Sequence, residues 1–399
     1  MRRASTRLAS RRVAAATTPT PAVAAKAKGA SSKRKKPAVT TDVATVPTTP
    51  VVKAGVVDDL KGTPEWHRLC SRTELSCALT LASGQTFTWQ QDVVSQVWTG
   101  VVGNHVFRVR ERDSIVEFSS VHPPAMTHEQ ARKVLERYFR LDMESEPLYT
   151  QWTAADDKMA QVIKTLRGHR LVRQDPSECL FTFICSSNNN IQRITQMVDK
   201  IKHTYGTLLC RDPVLDLDHY AFPTCDKLAA TAEEATLRAL GFGYRAPFII
   251  KTCRQLQECG GDAFLAEIRD QKQVQSGDND FDFSYQDALM QFAGIGRKVA
   301  DCVGLFSLER LYAIPVDTHV WQIACREFDA SLKSKKSMTP TIYKQIGDHF
   351  RTRFSPHAGW AHSVLFTGDL AAFQDHLPST LQKSKRRKPN NNKEEEEAT

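Results

Sequence analysis

Four side chains in this sequence have types and spacing suited to chemistry at an electrophilic carbon. Lys298 lies in "GIGRKVADC" (294–302), with Cys302 one helical turn further on, and Asp317 and His319 follow in "PVDTH" (315–319). Lys298 and Cys302, spaced i and i+4, share a helix face, while Val299, Val303, Leu305 and Phe306 make the surroundings apolar. Partial desolvation there would favour the free amine, which attacks carbon and forms Schiff bases. An ordinary solvated lysine fits the same residues. Asp317 precedes a helical run, so it can serve as an N-cap. It can also stabilise positive charge developing on a sugar, or relay a proton. The two roles are compatible, because one oxygen can cap while the other faces a site. His319 reads either as a phosphate contact or as a partly buried core histidine.

Two helical spans, 283–291 and 297–308, must hold the lysine, joined where Gly294 and Gly296 bracket Ile295. A Gly-hydrophobe-Gly turn leaves backbone N–H groups uncovered at a helix N-terminus, which suits one phosphate of a DNA strand. The alternative is a plain αα-hairpin using glycine for its positive φ. Further out, Trp66 to about Phe118 alternates apolar and polar residues around Ser-Gly and Gly-Asn turns, which predicts short antiparallel strands. Beyond "HPPAMT" the period becomes helical at 127–142, 156–168, 191–205, 228–240 and 262–273, and in the two spans above. The fold class is therefore α+β: an N-terminal antiparallel β domain (61–150) followed by a mainly helical domain (151–376). A basic leader (1–60) and a basic and acidic tail (377–399) flank them.

Composition narrows the function classes. Hydrophobic residues at 41% and charged residues at 25% are ordinary globular values, and no apolar run is long enough to cross a bilayer. Ten cysteines contain no Cys-x-x-Cys pair and sit mostly in apolar stretches such as "CLFTFIC", the pattern of reduced, buried thiols. The net charge of +9 belongs to the ends of the chain: residues 1–60 carry 12 Lys/Arg against 3 Asp, and 383–399 carry 6 against 4 Glu. The middle is nearly neutral, so any affinity for nucleic acid depends on local placement. Five arginines in the first dozen positions suit a mitochondrial presequence. "SSKRKKP" (31–37) and "KSKRRKP" (383–389) instead look like nuclear import clusters.

The order Gly-Ile-Gly-Arg-Lys-Val-Ala-Asp-Cys, then Pro-Val-Asp-Thr-His, resembles the helix-hairpin-helix DNA glycosylases. More specifically, it resembles the eukaryotic-type 8-oxoguanine DNA glycosylase/AP lyases. "SGQTFTW" (83–89), "QDPSECLFTFICSSNNNIQRI" (174–194), "LGFGYRAPFI" (240–249) and "HAGWAHSVLF" (357–366) support that assignment, which covers roughly residues 63–375. The resemblance implies a bifunctional enzyme of base excision repair that flips its target base out of duplex DNA. Lys298 matches the nucleophile at C1′, and Asp317 matches the aspartate that assists cleavage of the glycosidic bond. Cys302 and Phe366 match the residues that sandwich the base, and the Gly84 carbonyl matches the acceptor for the N7 proton of 8-oxoguanine. Asn188 matches the residue filling the vacated space, Tyr244 the wedge, and Arg193 and Arg245 the readers of the orphaned cytosine. His319 matches a phosphate contact, as the hairpin glycines do. Without the resemblance, 188–190 reads as a polar turn capping a helix.

Two positions depart from the family pattern. His362 stands where glutamine is usual, so base recognition there falls to a rigid imidazole, with a pH dependence expected near the histidine pKa. Ala293 replaces the usual hairpin proline. Only Cys325 follows Asp317, which argues against glycosylases carrying a four-cysteine iron–sulfur cluster. Lys298 argues against alkyl-base glycosylases and against a non-catalytic DNA-binding scaffold. No cofactor is expected, apart from a structural cation on the hairpin carbonyls. The expected partner is double-stranded DNA containing oxidised guanine, bound by a monomer in the nucleus or mitochondrion.

Overall fold

Alternation between Trp66 and Phe118 produces the antiparallel sheet. Its strands are β1 (His67–Ser71), β2 (Trp89–Gln91), β3 (Trp98–Val102), β4 (His105–Arg112) and β5 (Ile115–His122), in the spatial order β1-β5-β4-β3-β2. Asp113 and Ser114, both at positive φ, make the tight turn between β4 and β5, the backbone that matches strand twist. Phe107, Val109, Val116 and Phe118 point to one face and are buried in a core shared with Ala131, Leu135 and Tyr138 of the helix His128–Tyr138. Each such side chain contributes roughly 1.5–3 kcal/mol by leaving water. A capping box opens that helix: Thr127 Oγ1 accepts from the Gln130 N–H while Gln130 Oε1 accepts from the Thr127 N–H.

The computed structural model describes residues 64–212, 215–271, 281–379 and 381–382. The expected leader (1–60), both basic clusters and most of the tail lie outside the described residues. One predicted strand is instead a helix, Cys77–Leu81, within "ELSCALTLASGQTFTWQQ". Its alternation misleads because Cys77, Leu79, Thr80 and Leu81 are all buried, and Glu111 Oε1 accepts the Cys77 N–H at 2.7 Å.

Most predicted helical spans are occupied, among them Ile191–Tyr205, Ser284–Met290 and Arg297–Ser307. The 228–240 span is broken into Cys225–Thr231 and Glu234–Ala239 by extended backbone at Ala232 and Glu233. Periodicity did not reveal Pro176–Ile184 or Ala358–Asp369, because both are buried nearly all round and carry no polar stripe. A hairpin of β6 (Thr207–Asp212) and β7 (Leu217–Ala221) also interrupts the helices. The helix Ser145–Ala155 spans residue 150 and buries Leu148, Tyr149 and Trp152 in the helical core, where Leu377 also packs. Among the described residues no helix is long and apolar enough to cross a membrane.

Two of these elements build the site. Phe183, near the end of Pro176–Ile184, stacks on Phe306 of Arg297–Ser307 with ring centres 5.5 Å apart. That contact brings Ser186, just past the first helix, to the lysine near the start of the second.

Candidate active site

The hairpin between Ser284–Met290 and Arg297–Ser307 depends on a glycine at Gly294. Its φ is +79°, and an added Cβ would lie 2.8 Å from the Phe248 Cβ. Gly296 is the N-cap of the second helix and supplies no side-chain cap, and the space around it is open. First-turn N–H groups therefore face outward without an internal acceptor, as an anion contact requires. Ala293 uses the N–H that a proline would lack: it donates to Gln255 Oε1 at 2.9 Å, while Thr252 Oγ1 donates to the Ala293 carbonyl at 2.7 Å. Side-chain hydrogen bonds thus brace the turn where the family usually has a ring.

Lys298 is half-buried. Its Nζ donates to Ser186 Oγ at 3.3 Å and lies 5.3 Å from the centre of the Phe183 ring. Cys302 is buried, and desolvation pushes its thiol up to about 11 against the opposing pull of the Lys298 ammonium, so it packs as a neutral thiol. Asp317 ends an extended stretch and caps the helix Thr318–Glu327: Oδ1 accepts from the His319 N–H at 2.9 Å and the Val320 N–H at 3.0 Å. Capping uses one oxygen, and the residue also lines a cleft with Gly84, Lys298, Cys302, His362 and Phe366. The structure therefore brings the expected nucleophile, acid and base-pocket residues together. Among the described residues no group of three His, Cys, Asp or Glu side chains is placed to hold a metal ion. Of the hairpin carbonyls, those of Ala293 and Gly296 accept from Thr252 Oγ1 and the Ala300 N–H.

Gly84 has φ +81°, and a Cβ there would press on Ile191 Cδ1 at 3.0 Å. Its neighbour Gln85, which the sequence reading did not single out, is buried and fixes this loop. Its Nε2 donates to the Thr80 and Arg170 carbonyls, its Oε1 accepts the Val172 N–H, and its own carbonyl accepts from Gln174 Nε2. Opposite, His362 is 5% exposed, and its ring meets the Gly359 backbone three residues earlier on its own helix. Burial holds it down to about 4, with the Asp317 carboxylate opposing. Burial therefore moves the expected pH dependence below the ordinary histidine value, leaving the ring neutral down to about pH 4. Phe366 lies between His362 and the exposed His319, with ring centres 6.1 Å from each.

A second cluster adjoins the first through residues 186–188. Tyr244 is 49% exposed, and its hydroxyl donates to the Ser187 carbonyl at 2.7 Å. Arg245 lies under its ring, 4.4 Å from the centre, and donates to the carbonyls of Ser187 and Asn188. Asn188 itself is exposed at φ +48°. The two arginines expected to act as a pair differ: Arg245 is 2% exposed and turned inward, whereas Arg193 is exposed, with Nη2 3.4 Å from the Gly241 carbonyl. Asn190 fulfils the capping role expected of this turn by accepting the Arg193 N–H at 2.9 Å. Ser186, which links the nucleophile to this cluster, has no sequence signature beyond its place between an apolar helix and an asparagine run.

Residues 68–180 match the family described as 8-oxoguanine DNA glycosylase, N-terminal domain, and residues 181–347 match the HhH-GPD superfamily base excision DNA repair proteins. Fold and cleft together thus define a helix-hairpin-helix base-excision glycosylase. The N-glycosylase/DNA lyase OGG1 of Arabidopsis thaliana is 35% identical over 339 residues, covering 84% of this chain and 88% of that protein. The N-glycosylase/DNA lyase of Saccharomyces cerevisiae is 34% identical over 325 residues, covering 75% and 85%. The chain belongs to this N-glycosylase/DNA lyase family. A solved structure of the Clostridium acetobutylicum 8-oxoguanine glycosylase/lyase, in complex with dsDNA containing cytosine opposite 8-oxoG, aligns with a TM-score of 0.62 at 26% identity. It covers 74% of this chain and 91% of that one.

Proposed function

We propose that this N-glycosylase/DNA lyase excises 8-oxoguanine opposite cytosine from duplex DNA and then cleaves the strand through a Schiff base. The observation that carries the reading is a half-buried amine sharing one cleft with a carboxylate and an aromatic-lined base pocket, directly behind an uncapped helix start. Lys298, once it has lost its ammonium proton to solvent, gives its lone pair to C1′. The bond from C1′ to the base breaks, and the base leaves with the electron pair and takes up the proton that the newly bonded nitrogen sheds. Asp317 stabilises the positive charge that develops on the sugar as that bond lengthens. Ring opening gives the protonated Schiff base, and loss of a C2′ proton expels the 3′ phosphate by β-elimination. One copy of the chain carries both Lys298 and Asp317 in the same cleft.

Discrimination rests on the Gly84 carbonyl, which suits the N7–H of 8-oxoguanine and meets a lone pair in guanine. A buried acceptor left facing that lone pair costs about 1–3 kcal/mol. Tyr244 and Asn188 enter the stack, with Arg193 the exposed cation toward the orphaned cytosine. The basic clusters at 31–37 and 383–389 support import into the nucleus. Borohydride trapping on a duplex with 8-oxoguanine opposite cytosine tests the chemistry: the wild type forms a covalent adduct and Lys298→Gln forms none. An undiminished adduct with Lys298→Gln would overturn the assignment of the nucleophile.

A further inference from the structure

We infer that Asp301 and Tyr343 form a buried bridge that sets Asp317 against Lys298, which makes both of them positioning residues for base excision. The inference rests on the glycosylase reading above. Asp301 is 2% exposed and lies three residues after Lys298 on the same helix. Its Oδ1 accepts from the Tyr285 hydroxyl at 2.5 Å and Gln286 Nε2 at 2.6 Å, and its Oδ2 accepts from the Tyr343 hydroxyl at 2.6 Å. Tyr285 and Gln286 belong to the first hairpin helix, Ser284–Met290, and Tyr343 belongs to Pro340–Phe354. A phenol has one proton to give and lone pairs to spare. Tyr343 gives its proton to the carboxylate, the nearer of two acceptors (the Ile314 carbonyl lies 3.2 Å away), and accepts the Val316 N–H at 3.2 Å.

Val316 immediately precedes Asp317, so two hydrogen bonds run from the lysine's helix to the backbone one residue before the aspartate. The same carboxylate also holds the first helix of the hairpin. A buried carboxylate is costly, and apolar side chains of similar volume would fill the space as stably. What they could not do is orient a phenol toward a backbone N–H beside the reacting groups.

Tyr343→Phe keeps the ring and deletes one oxygen. With the whole chain under single-turnover conditions, base release, which uses Asp317, slows roughly tenfold. Trapping on a preformed abasic site, which uses Lys298 without breaking a glycosidic bond, changes less than about twofold, and DNA affinity is unchanged. Without substrate, deuterium exchange across residues 314–320 quickens in the variant. Asp301→Asn keeps the shape, leaves Tyr343 only the Ile314 carbonyl to donate to, and gives a smaller split in the same direction should Tyr343→Phe fail to fold. A wild-type chain that releases no 8-oxoguanine overturns the functional reading. Equal slowing of both steps, or unchanged exchange across 314–320, overturns the bridge.

Discussion

Replacing His362 with glutamine tests whether the base pocket holds a neutral imidazole. An ordinary histidine titrates near 6.5, and burial moves this one to about 4. Between those values the unfolded chain binds a proton that the folded chain refuses. The stabilising contribution is therefore complete above about pH 6.5 and is lost as pH falls toward 4. At pH 5 the loss is one and a half pH units of linkage, about 2 kcal/mol. Glutamine does not titrate, so His362→Gln escapes that loss. Buried His169, held down to about 3, and Glu178, pushed up to about 7, also make stability pH-dependent, but both are present in either protein and cancel in the comparison. Urea unfolding of wild type and variant at pH 7.5 and pH 5.0 measures the difference. The wild type should lose about 2 kcal/mol more than His362→Gln over that interval. The pH profile of base release between 6 and 8 should have the same shape in both proteins. Equal losses of stability, or a titration of activity near 6.5 that disappears in the variant, would refute the neutral ring.

Two further substitutions probe the supports of the site. Ser186→Ala removes the hydroxyl that accepts from Lys298 Nζ. Base release should slow by a few-fold up to roughly tenfold, the worth of one such hydrogen bond, while DNA affinity stays unchanged in an equilibrium binding assay. Gln255→Ala removes the acceptor of the Ala293 N–H in the hairpin turn and should cost about 0.5–1.5 kcal/mol in thermal or denaturant unfolding. Gln255→Glu, which keeps an acceptor, should recover most of it.

The parts of this enzyme that could be read from sequence are those whose signals are local. A glycine pair, a lysine and a cysteine at helical spacing state their relation within nine residues, and Asp317 announces its cap by standing at the head of a helical run. The supports are different in kind. Gln85 acts on Arg170, Val172 and Gln174, more than eighty positions away, and Ser186 meets Lys298 across more than a hundred. No pattern in a neighbouring stretch encodes such contacts. The Ser186 contact exists because Pro176–Ile184, a helix without a polar stripe and so invisible to periodicity, packs against Arg297–Ser307. His362 shows the same divide within one residue. Its identity and its departure from glutamine are plain in the sequence, yet its charge depends on how deeply the helix Ala358–Asp369 is buried, which only the packed structure specifies. Chemistry at this site is thus written locally, and the geometry and protonation that make it work are written in long-range packing.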